Sequence, residues 1–175
     1  MLATDVVLLY RAFADAHAPV WLMGGWGVDA LLGRQTRPHH DLDVLVDVAN
    51  LERLRQCLID LGFTFSYTWD DEVQWVCDDA WSSALEQPSA FVYRHPDGRE
   101  VDVHVVRQSR DGTIETLWTV PYAFTYSGLS ATGVVDGVEV RCLSRSMQLQ
   151  AHTGYDLPPH HLEDVRLLHE QRWHS

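Results

Sequence analysis

The stretch from Val20 to Asp47 constrains the fold more than any other part of the chain. Val20-Trp21-Leu22-Met23 is a short apolar run stopped by Gly24-Gly25, and Trp26 to Leu32 has helical composition and ends at Gly33, where a left-handed C-cap belongs. Arg34 to His40 is polar, contains Pro38 and reads as a loop; Asp41 to Asp47 then alternates polar and apolar residues with the period of a strand. A strand, a tight turn, a helix and a second strand in so short a span commit this region to a sheet with a helix packed on it.

The flanking segments extend the same pattern. Thr4-Asp5 precedes apolar positions at Val6, Leu9, Phe13 and Ala16, a helix with a capping residue and an acidic first turn. Asn50 is placed to cap a helix through Leu51, Leu54, Leu58 and Leu61, with Gly62 as its C-cap. Phe63 to Trp69, Val73 to Cys77, Phe91 to Arg94 and Glu100 to Val106 are β-branched and aromatic, and the last two should pair as a hairpin across Pro96-Asp97-Gly98. Asp136-Gly137 between Val134-Val135 and Val138-Glu139-Val140 is a strong hairpin signal. Ser144 opens a helix through Ala151, and Leu162 to Gln171 reads as a terminal helix after Pro158-Pro159.

With 175 residues, 46% of them hydrophobic, the chain can bury one sizeable core, and a single domain is expected. No run approaches the roughly 20 apolar residues of a membrane helix and the start lacks a signal-peptide pattern, so a cytoplasmic protein is expected. Cys57, Cys77 and Cys142 have no metal or redox spacing. A formal charge of −12, from 25 acidic against 13 basic residues, argues against nucleic acid as a partner. All the basic residues are arginines, and without lysine there is no Walker phosphate loop, no pyridoxal Schiff base and no lysine nucleophile.

Asp41 and Asp43 point to one face of their strand while Leu42 and Val44 enter the core. Two carboxylates on one face suit magnesium, which takes carboxylate oxygens together with substrate phosphates. Taken alone, Asp-x-Asp is common and is better read as the solvated side of an amphipathic strand. Gly24-Gly25 at the strand-to-helix junction would let phosphate approach the backbone and the helix N-terminus. Asp102 stands in the otherwise buried-looking run Glu100-Val101-Asp102-Val103-His104-Val105-Val106, where a carboxylate costs several kcal/mol (~5) unless paired or metal-bound. An edge strand with one polar face is the alternative.

In combination, strand-Gly-Gly-helix, Asp-x-Asp on the next strand and one Asp on a later strand resemble the nucleotidyltransferase superfamily of the polymerase-β type. The block Gly24 to Arg37 with His39, Asp41 and Asp43 is similar to the opening of small lincosamide nucleotidyltransferases and of aminoglycoside 2''-nucleotidyltransferases. His152-Thr153-Gly154-Tyr155-Asp156-Leu157 resembles a C-terminal block of the lincosamide group.

The resemblance implies an α+β nucleotidyltransferase fold: a mixed β-sheet with helices mainly on one face, a catalytic core over 1–142 and a short helical C-terminal element over 143–175. It implies magnesium-dependent transfer of a nucleoside monophosphate to a hydroxyl of a lincosamide or aminoglycoside, with pyrophosphate released. Asp41 and Asp43 would be metal ligands, and Asp102 a third ligand or the base for the acceptor. Gly24, Gly25, Arg34, Arg37 and His39 are candidates for the nucleotide side; Tyr155, Asp164 and His104 are candidates for the substrate. Gly25 stands where many members carry serine, and His160-His161 departs from the family. The expected cofactors are two Mg2+ ions with a nucleotide triphosphate, ATP. The expected partners are that nucleotide and a small-molecule hydroxyl acceptor, with no nucleic acid and no membrane, and a homodimer left open. A catalytically idle nucleotide-binding or antitoxin-type module, and a transferase acting on a protein or another non-antibiotic acceptor, are the rival readings.

Overall fold

Leu42, Val44 and Val46 alternate with Asp41, Asp43 and Leu45, and this alternation decides which side of the sheet carries the main core. The computed structural model describes residues 1–69, 90–116, 123–154 and 156–171. Its strands are β1 (Val20–Leu22), β2 (Asp41–Asp47), β3 (Thr64–Thr68), β4 (Ala90–Arg94), β5 (Glu100–Gln108), β6 (Ile114–Thr116), β7 (Ala131–Val135) and β8 (Val138–Cys142). Its helices are α1 (Ala3–Asp15), α2 (Gly24–Leu32), α3 (Leu51–Asp60), α4 (Arg145–Ala151) and α5 (Pro159–Glu170).

The strands form one mixed sheet in the order β3-β4-β5-β2-β1-β8-β7, with β6 added to the far end of β5. The β2–β5 and β1–β8 pairs are parallel, and the others are antiparallel. The expected mixed sheet with helices mainly on one face is what forms. Leu42, Val44 and Val46 of β2 and Val101, Val103 and Val105 of β5 pack with Val6, Leu9 and Phe13 of α1 and Leu51, Leu54 and Leu58 of α3. Each such side chain, fully buried, contributes about 1.5–3 kcal/mol. On the opposite face Leu45 and Val106 join Met23, Ile114, Phe124, Leu129, Leu143 and Met147 in a smaller cluster. That cluster closes one end of the second face and leaves Asp43 and Asp102 outside it.

Several boundaries differ from the sequence expectation for local reasons. Helix α1 begins at Ala3, with Asp5 accepting the Leu2 N–H at 2.9 Å, so Asp5 rather than Thr4 does the capping. Helix α2 begins at Gly24, two residues before Trp26, because Gly24 adopts φ +56° and turns the chain out of β1. A 3-10 turn (Val48–Asn50) precedes α3, and Asp47 caps it by accepting the Ala49 N–H at 2.8 Å. Asn50 makes no capping bond and bonds Arg53 instead. Helix α5 starts at Pro159, whose fixed φ suits the first helical position, and not at Leu162. The late hairpin turns through Asp136 and Gly137 at φ +49° and +74°, as an Asp-Gly two-residue turn requires. The short β6 went unanticipated, and Val73 to Cys77 lies outside the described residues. Among those described, no helix is long and apolar enough to cross a membrane.

Candidate active site

The register of β2 on β5 assembles the site. Asp41 pairs with Glu100, Asp43 with Asp102 and Leu45 with His104, so Asp43 and Asp102 are side by side on neighbouring parallel strands, about 5 Å apart in backbone spacing. The Met23 N–H donates to the Asp43 carbonyl at 3.1 Å, which sets Gly24 directly over the Asp43 carboxylate. A Cβ on Gly24 would stand 2.1 Å from Asp43 Oδ2, so only glycine fits there, in position as well as in φ. The first-turn amides of α2, which no intrahelical carbonyl can satisfy, therefore begin at the carboxylate pair.

Burial and mutual repulsion make these carboxylates poor anions without a counter-charge. Burial first, then the charges of Asp41 and Asp102, raises the Asp43 pKa well above the usual carboxylate range, against a backbone hydrogen bond and Arg37. Asp102 is 7% exposed, and burial pushes it up to about 7, against the hydrogen bond donated by Trp69. Its Oδ2 accepts from Trp69 Nε1 at 2.8 Å, and its Oδ1 is buried with no hydrogen-bond partner among the described residues. His104 Nε2 lies 3.4 Å from that Oδ1, and burial lowers the imidazole to about 4, which keeps it neutral at pH 7.

Ligand atoms of Asp43, Asp102 and His104 lie within 4.8 Å of one another, a grouping that could hold a metal ion. Carboxylate oxygens, one of them buried and without a partner, suit a hard divalent cation. Asp41 is outside that tight group but shares the strand face of Asp43 and lines a cleft with it.

The cleft, about 300 Å³, is lined by Gly24, Gly25, Arg37, His39, Asp41 and Asp43 on one side and by His152, His160 and His161 on the other. Its loop wall is tightly braced. Asp29 of α2 is buried; its Oδ2 lies 2.5 Å from His39 Nε2, and its Oδ1 accepts from Thr36 N and Oγ1 at 3.1 and 2.6 Å. The His39 ring packs on Trp26 at 4.7 Å, and a Cβ on Gly25 would meet His39 Nδ1 at 2.4 Å. His39 is thus an internal brace of the loop, and Asp29, which the sequence did not single out, is its partner. Asp164 is wholly buried and receives Arg37 Nε and Nη2 at 3.3 and 2.8 Å, so it holds Arg37 at the cleft and is spent on that pair.

Arg34 is not brought to this cleft; it lines a separate one between α2 and the Asp136-Gly137 hairpin. Tyr155 lies outside the described residues. His160 and His161, set aside from the sequence, face the carboxylate cleft, where burial and the charges of His152 and His160 lower His161 to about 4. A larger cleft of about 640 Å³, lined by Trp21, Asp47, Arg110, Tyr126 and Arg141, carries none of the candidate residues.

On the far side of Asp102, β3 supplies an aromatic pair. Phe65 and Tyr67 would share a face in a regular strand, but the register shifts between them. Phe65 packs on the helix-side core, while Tyr67 pairs with Val92, which pairs with Asp102. Tyr67 and Trp69 meet edge to face at 5.1 Å and are 36% and 53% exposed. Burial, then the charges of Asp102 and Glu100, raises the Tyr67 hydroxyl pKa.

A family model described as aminoglycoside-2''-adenylyltransferase matches residues 5–168. A lincosamide resistance protein of Staphylococcus haemolyticus is 32% identical over 158 residues, 88% of this chain and 87% of its own length. The lincomycin-bound crystal structure of the lincosamide antibiotic adenylyltransferase LnuA superposes with a TM-score of 0.76 at 25% identity, over 95% of this chain and 96% of that one. ANT(2'')-Ia in complex with adenylyl-2''-tobramycin shares the fold, with a TM-score of 0.68 at 22% identity over 95% of this chain and 86% of that one.

Proposed function

The chain belongs to the aminoglycoside-2''-adenylyltransferase family, and from that premise we propose that it moves a nucleoside monophosphate from a nucleotide triphosphate, ATP, to a hydroxyl of an antibiotic, with release of pyrophosphate. The observation that carries this reading is the in-register Asp43–Asp102 pair lying against Gly24 at the start of α2. The 32% identity to a lincosamide resistance protein over most of both chains favours a lincosamide acceptor over an aminoglycoside.

Asp41 and Asp43 are the residues that would hold magnesium, and Asp102 beside them is left to act on the acceptor. Bound there, magnesium supplies charge neutralisation of the phosphates and Lewis-acid polarisation at the α-phosphorus. The chain's own groups do the rest. The first-turn amides of α2 receive phosphate oxygens, and Gly24 allows that approach because it has no side chain. Arg37, held by Asp164, adds a fixed positive charge on the loop side. Asp102 takes the acceptor's proton at Oδ1 as the new P–O bond forms and the bond to pyrophosphate breaks in line with it. Burial of Asp102 makes its carboxylate a stronger proton acceptor than a solvated one. The Trp69 N–H at Oδ2 fixes which oxygen is presented.

The test is purified protein with Mg2+ and ATP incubated with lincomycin or tobramycin, followed by product mass. A product heavier than the antibiotic by one adenylyl group supports the reading. No adduct on either antibiotic, with ATP left intact, would overturn it.

A further inference from the structure

We infer that Tyr67 and Trp69 form the acceptor wall of the site, where a ring of the acceptor stacks, and that Trp69 is also the positioning residue that aims Asp102. The inference rests on the transferase reading above and adds to it where the second substrate lies.

The sheet face sets out the two sides in order. Gly24 stands over Asp43, Asp43 is beside Asp102, and across Val92 of β4 comes Tyr67 of β3. The triphosphate belongs at the Gly24 end, because the free amides of α2 and the Arg37 guanidinium are there. In an in-line displacement the attacking oxygen arrives opposite the leaving pyrophosphate. With the phosphates on the β1–α2 side of Asp43, the acceptor must approach from the β4–β3 side of Asp102. The end of the face beyond His104 is closed by the cluster containing Leu45, Val106 and Met147, so acceptor entry from there is blocked.

On that side the described residues present an aromatic pair. A bulge between Phe65 and Tyr67 turns Tyr67 away from the core and onto the carboxylate face, where it joins Trp69. Bulges are used in this way to re-aim side chains beside active sites. The intervening β4 residue next to Trp69 is Ala90, small enough for the indole to lie across it and reach Asp102 Oδ2 at 2.8 Å. Two large aromatic side chains left 36% and 53% exposed forgo burial that a purely structural pair would take. Their faces suit the flat side of a sugar or similar ring.

The experiment compares Trp69→Ala and Trp69→Phe with the unchanged protein, using lincomycin and tobramycin as probes, calorimetric binding of each probe and of MgATP, and steady-state kinetics. Trp69→Ala should raise both Kd and KM for the acceptor about tenfold and leave MgATP binding within about twofold. Trp69→Phe keeps a ring but loses the N–H, so it should hold acceptor Kd within about threefold while kcat falls by roughly tenfold. Unchanged acceptor Kd in a folded Trp69→Ala variant overturns the wall, and equal loss of MgATP and acceptor binding overturns it in favour of a structural role. An unaltered kcat in Trp69→Phe overturns the positioning of Asp102. If the unchanged protein binds a probe through Trp69 but transfers nothing to it, the wall stands and the transferase reading fails; binding of neither probe overturns the wall for this acceptor class.

Discussion

The two flanks of the Asp43–Asp102 pair are built on opposite principles. On the Gly24 side, contacts are short and interlocked: Asp29 holds His39, His39 covers Gly25, Asp164 holds Arg37, and Gly24 leaves no room above Asp43. On the β3 side, among the described residues, the Trp69 N–H bonds Asp102 and the rings of Tyr67 and Trp69 are partly exposed. A rigid flank fits a co-substrate that does not vary, since every nucleotide triphosphate presents the same phosphates. An open aromatic flank accommodates acceptors that differ in outline, because ring stacking tolerates changes that directed hydrogen bonds do not.

The comparison is tested hardest at the carboxylate shared by both flanks. Asp102→Asn keeps the shape and removes the base, so kcat should fall by ~10²-fold or more while MgATP still binds within a few-fold. Calorimetry and turnover measured on one preparation check this. Turnover that survives would detach Asp102 from the chemistry, and binding lost together with turnover would move it to the nucleotide flank.

Next in size is Gly24→Ala. The added methyl would sit 2.1 Å from Asp43 Oδ2 at a backbone φ of +56°, so either the carboxylate or the helix start must move. The left-handed conformation alone costs about 1–2 kcal/mol. kcat/KM for ATP should drop about tenfold or more and the melting temperature by several degrees, whereas acceptor binding in the absence of nucleotide should hold. If acceptor binding fell equally, the flanks would not be independent.

Asp164→Asn should act more mildly and on one side only. It leaves the shape of a wholly buried side chain but frees Arg37 from its charged partner. Nucleotide KM should rise roughly three- to tenfold, on the order of 1 kcal/mol, with acceptor KM unchanged. A rise confined to the acceptor would place Asp164 on the opposite flank.

The same division explains what could be read in the sequence. The rigid flank lies almost wholly between Val20 and Asp47, where local period, a Gly-Gly turn and strand alternation specify it, and there strand and loop limits agree with the structure to within a residue. Asp102 was visible as a carboxylate in an apolar strand, and the parallel register that sets it beside Asp43 is non-local but constrained by the same alternation. The β3 flank was not visible, because Phe65 and Tyr67 look like one face until the bulge separates them. Arg34 and Arg37, three residues apart in one loop, looked equivalent; Asp164, far along the chain, fixes Arg37 at the cleft, and Arg34 lines another. His160 and His161 could not be read either, since only the docking of α5 brings them to the cleft.

Stability gives a test independent of turnover, because it reads what burial beside Asp43 costs Asp102 when it ionises. Asp102 titrates at about 7 in the folded protein against a usual value of 3.8, so between those pH values the folded chain holds a proton that the unfolded chain has lost. Stability from this group is therefore complete below about pH 4 and is lost as pH rises through 7. His104 and His161, both lowered to about 4, work in the opposite sense between pH 4 and 6.5, so a melting curve of the unchanged protein alone would mix the two. The difference between Asp102→Asn and the unchanged protein cancels His161 and reads Asp102 together with its neighbours His104 and Asp43, whose pKa the Asp102 charge also raises. The variant should match it near pH 4 and exceed it by on the order of 1–3 kcal/mol at pH 8, a shift of a few degrees in Tm. Millimolar Mg2+ should narrow the gap at pH 8 by stabilising the unchanged protein more than the variant. A gap that does not change with pH would mean that Asp102 is no less comfortable ionised in the fold than in water, and the case for a compensating cation at this site would weaken with it.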